Sequence, residues 1–311
     1  MKKRKIVVTP RGFAKCGLEN AKIMEAAGFE VVYNDTGLAY SQEEFSKITE
    51  SAEGIIIGVE TVDRDYIDNH PNLKAVVKFG VGTDNIDVAY CQEKGIFVGR
   101  TVGSNARSVA ETAISFVIAD SKNLYDSIVN TRGHGWAKMT GYEVQGKTIG
   151  IIGFGAIGRE VAKMAWGLGM KVLVFDVCDI PLDLIEKYEI QKATVQEIIK
   201  CADFISLHIP LTKETENMIS SKELSQMKSN AVLINTARGG IVNEADLYVA
   251  LKNNVIRAAY FDVFTYEPPR EEEPLLALPN FYLTPHIASR SKEAEENTAN
   301  IATKVILEAL K

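Results

Sequence analysis

Two doubly wound α/β domains, each a parallel sheet covered by helices, are the fold this sequence predicts, and three observations predict it. Short β-rich runs alternate with helix-period patterns almost throughout. The 311 residues exceed what a single hydrophobic core ordinarily fills. Midway, the apolar run of Ile149, Ile151 and Ile152 enters Gly153, Gly155 and Gly158 in G-x-G-x-x-G spacing, after which Ile157, Val161, Met164, Ala165 and Leu168 recur at helical period. A glycine pattern alone is weak evidence. Strand, tight turn and helix in register make it strong.

In chain order, the first part predicts strands over 5–9, 30–33, 54–58, 75–79 and 96–98, with helices over 16–27, 63–69 and 87–94. A long helix over 104–130 joins the two domains, its apolar positions including Val109, Ala113, Phe116, Val117, Leu124 and Ile128. Six strands follow, over 147–152, 171–176, 203–208, 231–235, 256–262 and 281–284, the number a complete dinucleotide-binding (Rossmann) sheet requires. A last helix over 291–310 carries Ala294, Thr298, Ile301 and Val305 on one face and is free to cross back to the first domain. The expected layout is discontinuous: 1–100 plus 287–311 as one domain, 101–286 as the dinucleotide-binding domain.

The glycines have separate tasks. Gly153 permits the turn, Gly155 lets a pyrophosphate approach the backbone, and Gly158 lets the helix opened by Ala156 and Ile157 pack on its strand with its N-terminus toward phosphate charge. Asp176 ends the next strand, where a carboxylate accepts from both adenosine ribose hydroxyls and repels a 2′-phosphate. The expected cofactor is NAD rather than NADP.

Composition narrows the partners. A hydrophobic content of 46% with 24% charged residues is that of a globular chain. A net charge of -6 argues against nucleic acid or an anionic membrane and leaves a small molecule. Cys16, Cys91, Cys178 and Cys201 are scattered, with no C-x-x-C pair and no histidine at ligand spacing, so neither a metal site nor a disulfide framework is expected. The basic N-terminus meets only three apolar residues before Thr9 and Pro10, too few for a signal-peptide core, and no run is long enough to span a membrane. These features predict a cytoplasmic protein.

In open α/β sheets ligands bind beyond the carboxyl ends of the strands. There the second domain places His208, then Asn235-Thr-Ala-Arg-Gly-Gly240, then Asp262, then His286, and the first places Lys78-Phe-Gly-Val-Gly-Thr-Asp84, all directed to one interdomain cleft. Hydride transfer to a ketone needs a cation to hold the substrate and a group that exchanges a proton near neutrality. Arg238 offers a planar fork to a carboxylate. His286 is the proton donor and Glu267 the carboxylate that orients its ring. Singly, each has a duller role open to it: Arg238 as a helix cap, His286 as a satisfied core ring, Glu267 as a solvated loop acid. Their convergence around a nicotinamide site favours chemistry. His208 suits the wall of the cofactor pocket, His134 a glycine-rich loop, and His70 a structural place.

The segments 78–87, 104–111, 208–211, 235–240, 262–268 and 284–288, together with the glycine motif, resemble in order those of the D-isomer-specific 2-hydroxyacid dehydrogenases, most closely the short phosphoglycerate dehydrogenase-like members. The resemblance implies a flavodoxin-like substrate domain beside the Rossmann domain, an NAD-dependent exchange of a 2-oxo acid with a D-2-hydroxy acid, and a homodimer through the NAD-binding domain. By position it puts the catalytic residues on Arg238, Glu267 and His286, and the substrate carboxylate on the loop of Val81 and Gly82 beside Lys78, together with Arg238 and His286. It puts the nicotinamide amide on Asp262 and the Thr236 carbonyl, with His208, Ile209, Pro210, Ala237, Arg238 and His286 also against the cofactor. Two departures stand out. Where phosphoglycerate-specific relatives place arginines, this chain has Glu60, which would repel a phosphate, and Lys78, a partial substitute; both count against 3-phosphoglycerate. The chain also ends after one helix, so serine feedback through a C-terminal regulatory domain is not expected. Two other readings remain: an NAD(H)-sensing, corepressor-type binding protein on the same fold, and a formate dehydrogenase-like enzyme, disfavoured because relatives of that type carry glutamine where Glu267 stands.

Overall fold

The fold was taken from a computed structural model that describes residues 4–311, so Met1, Lys2 and Lys3 of the basic start lie outside the described residues. The chain divides into two units, one ending at Asn105 and resuming over Ser289–Lys311, the other running Ala106–Ala288.

The first unit is built from β1 (Arg4–Val8), α1 (Phe13–Cys16), α2 (Leu18–Ala26), β2 (Phe29–Tyr33), α3 (Gln42–Thr49), β3 (Gly54–Ile57), α4 (Arg64–Asn69), β4 (Ala75–Lys78), α5 (Val88–Glu93) and β5 (Phe97–Arg100). Its strands pair in parallel in the order β2-β1-β3-β4-β5. The period-two alternation of a strand divides the core: Ile6, Val8, Ile56 and Val77 face one cluster, Val7, Ile55, Ile57 and Val76 the other. Helix α3 is absent from the sequence reading because it buries only Phe45 and Thr49; its signal is the capping box, in which Ser41 Oγ accepts from Glu44 N–H and Glu44 accepts from Ser41 N–H.

The second unit contains α6 (Ala106–Ser121), α7 (Leu124–Arg132), β6 (Thr148–Ile152), α8 (Ala156–Gly167), β7 (Lys171–Phe175), α9 (Leu182–Lys187), β8 (Gln191–Lys192), α10 (Val195–Cys201), β9 (Phe204–Leu207), α11 (Ser221–Leu224), β10 (Val232–Asn235), α12 (Glu244–Lys252), β11 (Ala258–Phe261) and β12 (Phe281–Leu283). All seven strands run parallel in the order β12-β11-β10-β9-β6-β7-β8. The six strands expected from the sequence are present. The seventh, β8, is two exposed residues paired to β7, too short and polar to carry a hydrophobic pattern. The order reverses between β6 and β9, which makes the carboxyl edge there a ligand crevice.

Instead of one long helix over 104–130, the chain forms α6 and α7 with a break at Asn123, whose φ of 46° is left-handed. Asparagine tolerates that conformation, and the break is fixed from outside the helices: Asn123 Nδ2 donates to the Thr140 carbonyl and Tyr142 N–H to that of Ser121. Helix α13 (Lys292–Ala309) then returns to the first unit, burying Ala299, Ala302 and Ile306 in the cluster that holds Ile6 and Val77.

Candidate active site

Local sequence dictates the cofactor cradle. Gly153 follows β6 with a φ of 99°, a conformation that favours glycine, and a Cβ on Gly158 would lie 2.1 Å from the Gly153 carbonyl oxygen, so α8 can begin this close to the strand only without a side chain there. Gly155 is the N-cap of α8, and a Cβ on it would meet nothing within 4 Å; Ala156 and Ile157 form the first turn. Beyond β7 the Asp176 carboxylate is held rigidly, accepting the Phe154 N–H at 2.5 Å and the Cys178 N–H at 2.7 Å.

Beyond β9, His208 Nε2 lies 2.8 Å from Ser206 Oγ while its Nδ1 is buried with no hydrogen bond among the described residues, and burial drives the imidazole down to about 3, which keeps it neutral. Ile209 is half-buried and Pro210 exposed. Beyond β10, Thr236 and Ala237 are buried, and Thr236 Oγ1 also makes no hydrogen bond among the described residues. A glycine turn at a helix N-terminus, a fixed carboxylate one strand away and two buried polar atoms without protein partners along one edge fit a dinucleotide.

A histidine–carboxylate pair lies on the same edge. His286 follows β12, exposed and left-handed at a φ of 53°, with Nδ1 2.7 Å from Glu267 Oε2. Glu267 Oε1 accepts the Phe264 N–H at 2.9 Å, so the acid bridges its own turn to the imidazole and fixes the ring. Nε2 is left as the end of the ring that makes no hydrogen bond among the described residues. Arg238 is half-buried and donates from Nη1 to the Ala237 carbonyl at 2.7 Å. Its neighbour Gly239 packs so tightly on the same turn that a Cβ would lie 2.2 Å from the Phe264 carbonyl, which ties the arginine's backbone to the turn holding Glu267.

Asp262 has a larger structural part than the sequence suggested. It is 1% exposed and accepts from Thr284 Oγ1 at 2.5 Å, Ile287 N–H at 2.9 Å and Ala288 N–H at 2.8 Å. It therefore fastens the segment that carries His286 from both sides. Thr284 went unnoticed in the sequence, since nothing local links it to a residue 22 positions away.

In the first unit, Lys78 Nζ donates to the Gly58 carbonyl at 2.5 Å and to Asn85 Oδ1 at 2.6 Å, joining the loops after β3 and β4. Thr101 donates from both N–H and Oγ1 to the Gly80 carbonyl, while the N–H groups of Val81 and Gly82 bond to nothing among the described residues. Of the remaining histidines, His70 is buried, stacked on Tyr66 at 3.9 Å with Nδ1 2.6 Å from the Tyr66 carbonyl, and His134 is exposed after α7. Among the described residues no cluster of metal-ligating side chains occurs and no helix is long and apolar enough to cross a membrane.

The cradle and the strand-end residues define an NAD-binding α/β protein of the dehydrogenase type. Residues 114–288 match the family model described as the NAD binding domain of the D-isomer specific 2-hydroxyacid dehydrogenases, and the chain belongs to that family. It is 39% identical over 259 residues to the hydroxypyruvate reductase of Thermotoga maritima, covering 82% of this chain and 83% of that one. It is 37% identical to the glyoxylate reductase of Thermococcus litoralis (84% and 81% covered) and to the D-3-phosphoglycerate dehydrogenase of Methanocaldococcus jannaschii (93% and 55%). The chain thus spans about half the length of that phosphoglycerate dehydrogenase. Among solved structures, D-lactate dehydrogenase from Aquifex aeolicus complexed with NAD and lactic acid superposes with a TM-score of 0.81 at 28% identity, covering 97% of this chain and 94% of that one.

Proposed function

We propose that this chain is an NAD-dependent dehydrogenase interconverting a small, unphosphorylated 2-oxo acid and its D-2-hydroxy acid. The observation that carries the reading is the Glu267–His286 pair at 2.7 Å, placed along the carboxyl edge that also bears the dinucleotide cradle. When bound, reduced NAD supplies the hydride that reaches the keto carbon. Arg238 offers its fork to the substrate carboxylate, and in the first unit the N–H groups of Val81 and Gly82 are donors suited to a carboxylate. His286 gives the proton on Nε2 to the developing alkoxide, while Glu267 keeps the ring oriented through Nδ1. Asp262 fixes the His286 segment and, with the Thr236 carbonyl, meets the nicotinamide amide. The reductase names of the relatives support an unphosphorylated substrate, and so does Glu60.

We further infer a homodimer through the Ala106–Ala288 unit: α7 buries none of its residues and exposes Leu124, Tyr125, Ile128 and Val129, an apolar face that a second copy would cover. A cytoplasmic setting suits the exposed free thiols of Cys178 and Cys201. The test of the catalytic reading is His286→Ala, assayed by NADH oxidation with glyoxylate, hydroxypyruvate and pyruvate. Turnover should fall by about 10²–10⁴-fold with NADH affinity kept. Equal turnover in mutant and wild type removes His286 from the mechanism, and NADH binding with no turnover of any 2-oxo acid by the wild type points to a sensor.

A further inference from the structure

The five-stranded sheet has a cavity of its own at its carboxyl edge. Strand order reverses between β1 and β3, and the cavity lies there, lined by Arg11 after β1, Glu60 after β3 and Gly80 after β4, with Asn105, Arg290 and Glu295. Such reversals are where open α/β sheets take ligands. Its volume of about 190 Å³ matches a handful of heavy atoms, since one water occupies about 30 Å³ of liquid.

The charges in this cavity are not equivalent. Arg290 Nε is paired with Glu295 Oε1 at 3.0 Å, and Arg11 is exposed. Glu60, in contrast, is only 8% exposed, and its carboxylate makes one hydrogen bond among the described residues, Oε2 accepting the Gly58 N–H at 2.8 Å. Asn105 Oδ1 is likewise buried, with no hydrogen-bond partner among the described residues. At both places the buried atoms with capacity left, the Glu60 carboxylate and Asn105 Oδ1, are acceptors, and a buried acceptor is satisfied only by a donor. A phosphate or carboxylate brings more acceptors and negative charge against Glu60; a methyl brings no donor.

We propose that Glu60 and Asn105 set specificity by accepting hydrogen bonds from a hydroxyl on carbon 3 of the substrate, so that the preferred 2-oxo acid is a 3-hydroxy compound. The inference rests on the Val81–Gly82 loop seating the substrate carboxylate, since Gly80, which begins that loop, also lines the cavity.

The experiment compares hydroxypyruvate with pyruvate, which differs only in lacking the hydroxyl, and adds glyoxylate, oxaloacetate and phosphohydroxypyruvate, using wild type and Glu60→Gln. Glutamine keeps a carbonyl for the Gly58 N–H, so the loop is retained. Wild type should prefer hydroxypyruvate over pyruvate by about 10–100-fold in kcat/KM, the value of a hydrogen bond to a charged acceptor, and Glu60→Gln should bring the ratio to within about threefold of unity. In parallel, calorimetry on the NADH-loaded protein should give the same ratio for D-glycerate over D-lactate, and the same loss in the variant. A wild-type ratio near one, a ratio unchanged in Glu60→Gln, or a preference for oxaloacetate or phosphohydroxypyruvate overturns the assignment. If no 2-oxo acid, glyoxylate included, is turned over, the catalytic reading fails instead, and the calorimetric ratio still decides the role of Glu60.

Discussion

Replacing Asp262 with asparagine tests whether the His286 segment is held in place by a buried carboxylate. Three donors converge on that group, two on Oδ1 and one on Oδ2. Asparagine keeps an oxygen for Thr284 Oγ1 and Ile287 N–H but turns an NH₂ toward the Ala288 N–H. One charge-assisted bond disappears, a buried N–H goes unsatisfied, and the two surviving bonds weaken to neutral strength; together these cost about 3 kcal/mol. For a unit of this size, spanning Ala106–Ala288, that is a fall of roughly 6–12 °C in Tm. Function should suffer with it. His286 is left-handed without being glycine, a conformation costing on the order of 1 kcal/mol that persists only while its neighbours over-determine it, and a displacement of about 1 Å at a reacting group costs about 10²-fold. Thermal unfolding together with kcat and the KM for NADH reads both consequences. Asp262→Asn melting within about 2 °C of wild type with kcat intact and only NADH binding weakened would refute the reasoning and leave Asp262 as a nicotinamide ligand alone.

Three further substitutions follow from the same geometry. Glu267→Gln retains an acceptor for the Phe264 N–H but presents an NH₂ to His286 Nδ1, so the ring must accept there; kcat should drop by about 10²-fold or more while the dissociation constant for NADH, measured by fluorescence, stays unchanged. Gly158→Ala places a methyl 2.1 Å from the Gly153 carbonyl, so α8 must move off β6, and calorimetry should show NAD affinity falling at least about tenfold; wild-type affinity would mean that the close approach is not needed. His208 concerns pH. Its folded value, about 3, lies below the ordinary 6.5, so between the two the unfolded chain binds more protons. Its contribution to stability is complete above pH 6.5 and is lost as pH falls toward 3, with a slope of at most about 1.4 kcal/mol per pH unit. In the NAD-free protein His208→Gln should remove that part of the slope in urea melts, and an unchanged slope would show that the ring is not desolvated.

Strands such as β3, β6 and β10 were legible because they are short apolar runs buried on both faces, and the sequence there states its burial directly. The glycine turn was legible because its requirements are steric and local. Helix α3, strand β8 and the break at Asn123 were not: α3 has a thin apolar face, β8 follows its neighbour rather than its own residues, and the break is fixed by Thr140 and Tyr142 from the following loop.

The same division runs through the candidate site. Arg238 and His286 announce themselves because each follows a strand end, and the parallel topology delivers them to one edge, whereas Glu267 lies in the loop after β11 and reaches His286 through the turn its Oε1 closes on the Phe264 N–H. What the edge does with them depends on partners far off in sequence. Asp262 reads only as a nicotinamide-facing acid until Thr284, Ile287 and Ala288 are seen to bond to it as well, and Lys78 as a partial substitute for an arginine until Gly58 and Asn85 are found against its ammonium. Glu60 moves the other way. In sequence it counts only as a charge that discourages phosphate; buried at a strand-order reversal beside Asn105, with acceptor capacity left over, it becomes a positive requirement for a hydrogen-bond donor. A residue type states which chemistry is possible, and the contacts that saturate it or leave it unsaturated decide whether that chemistry is turned toward the fold or toward a ligand.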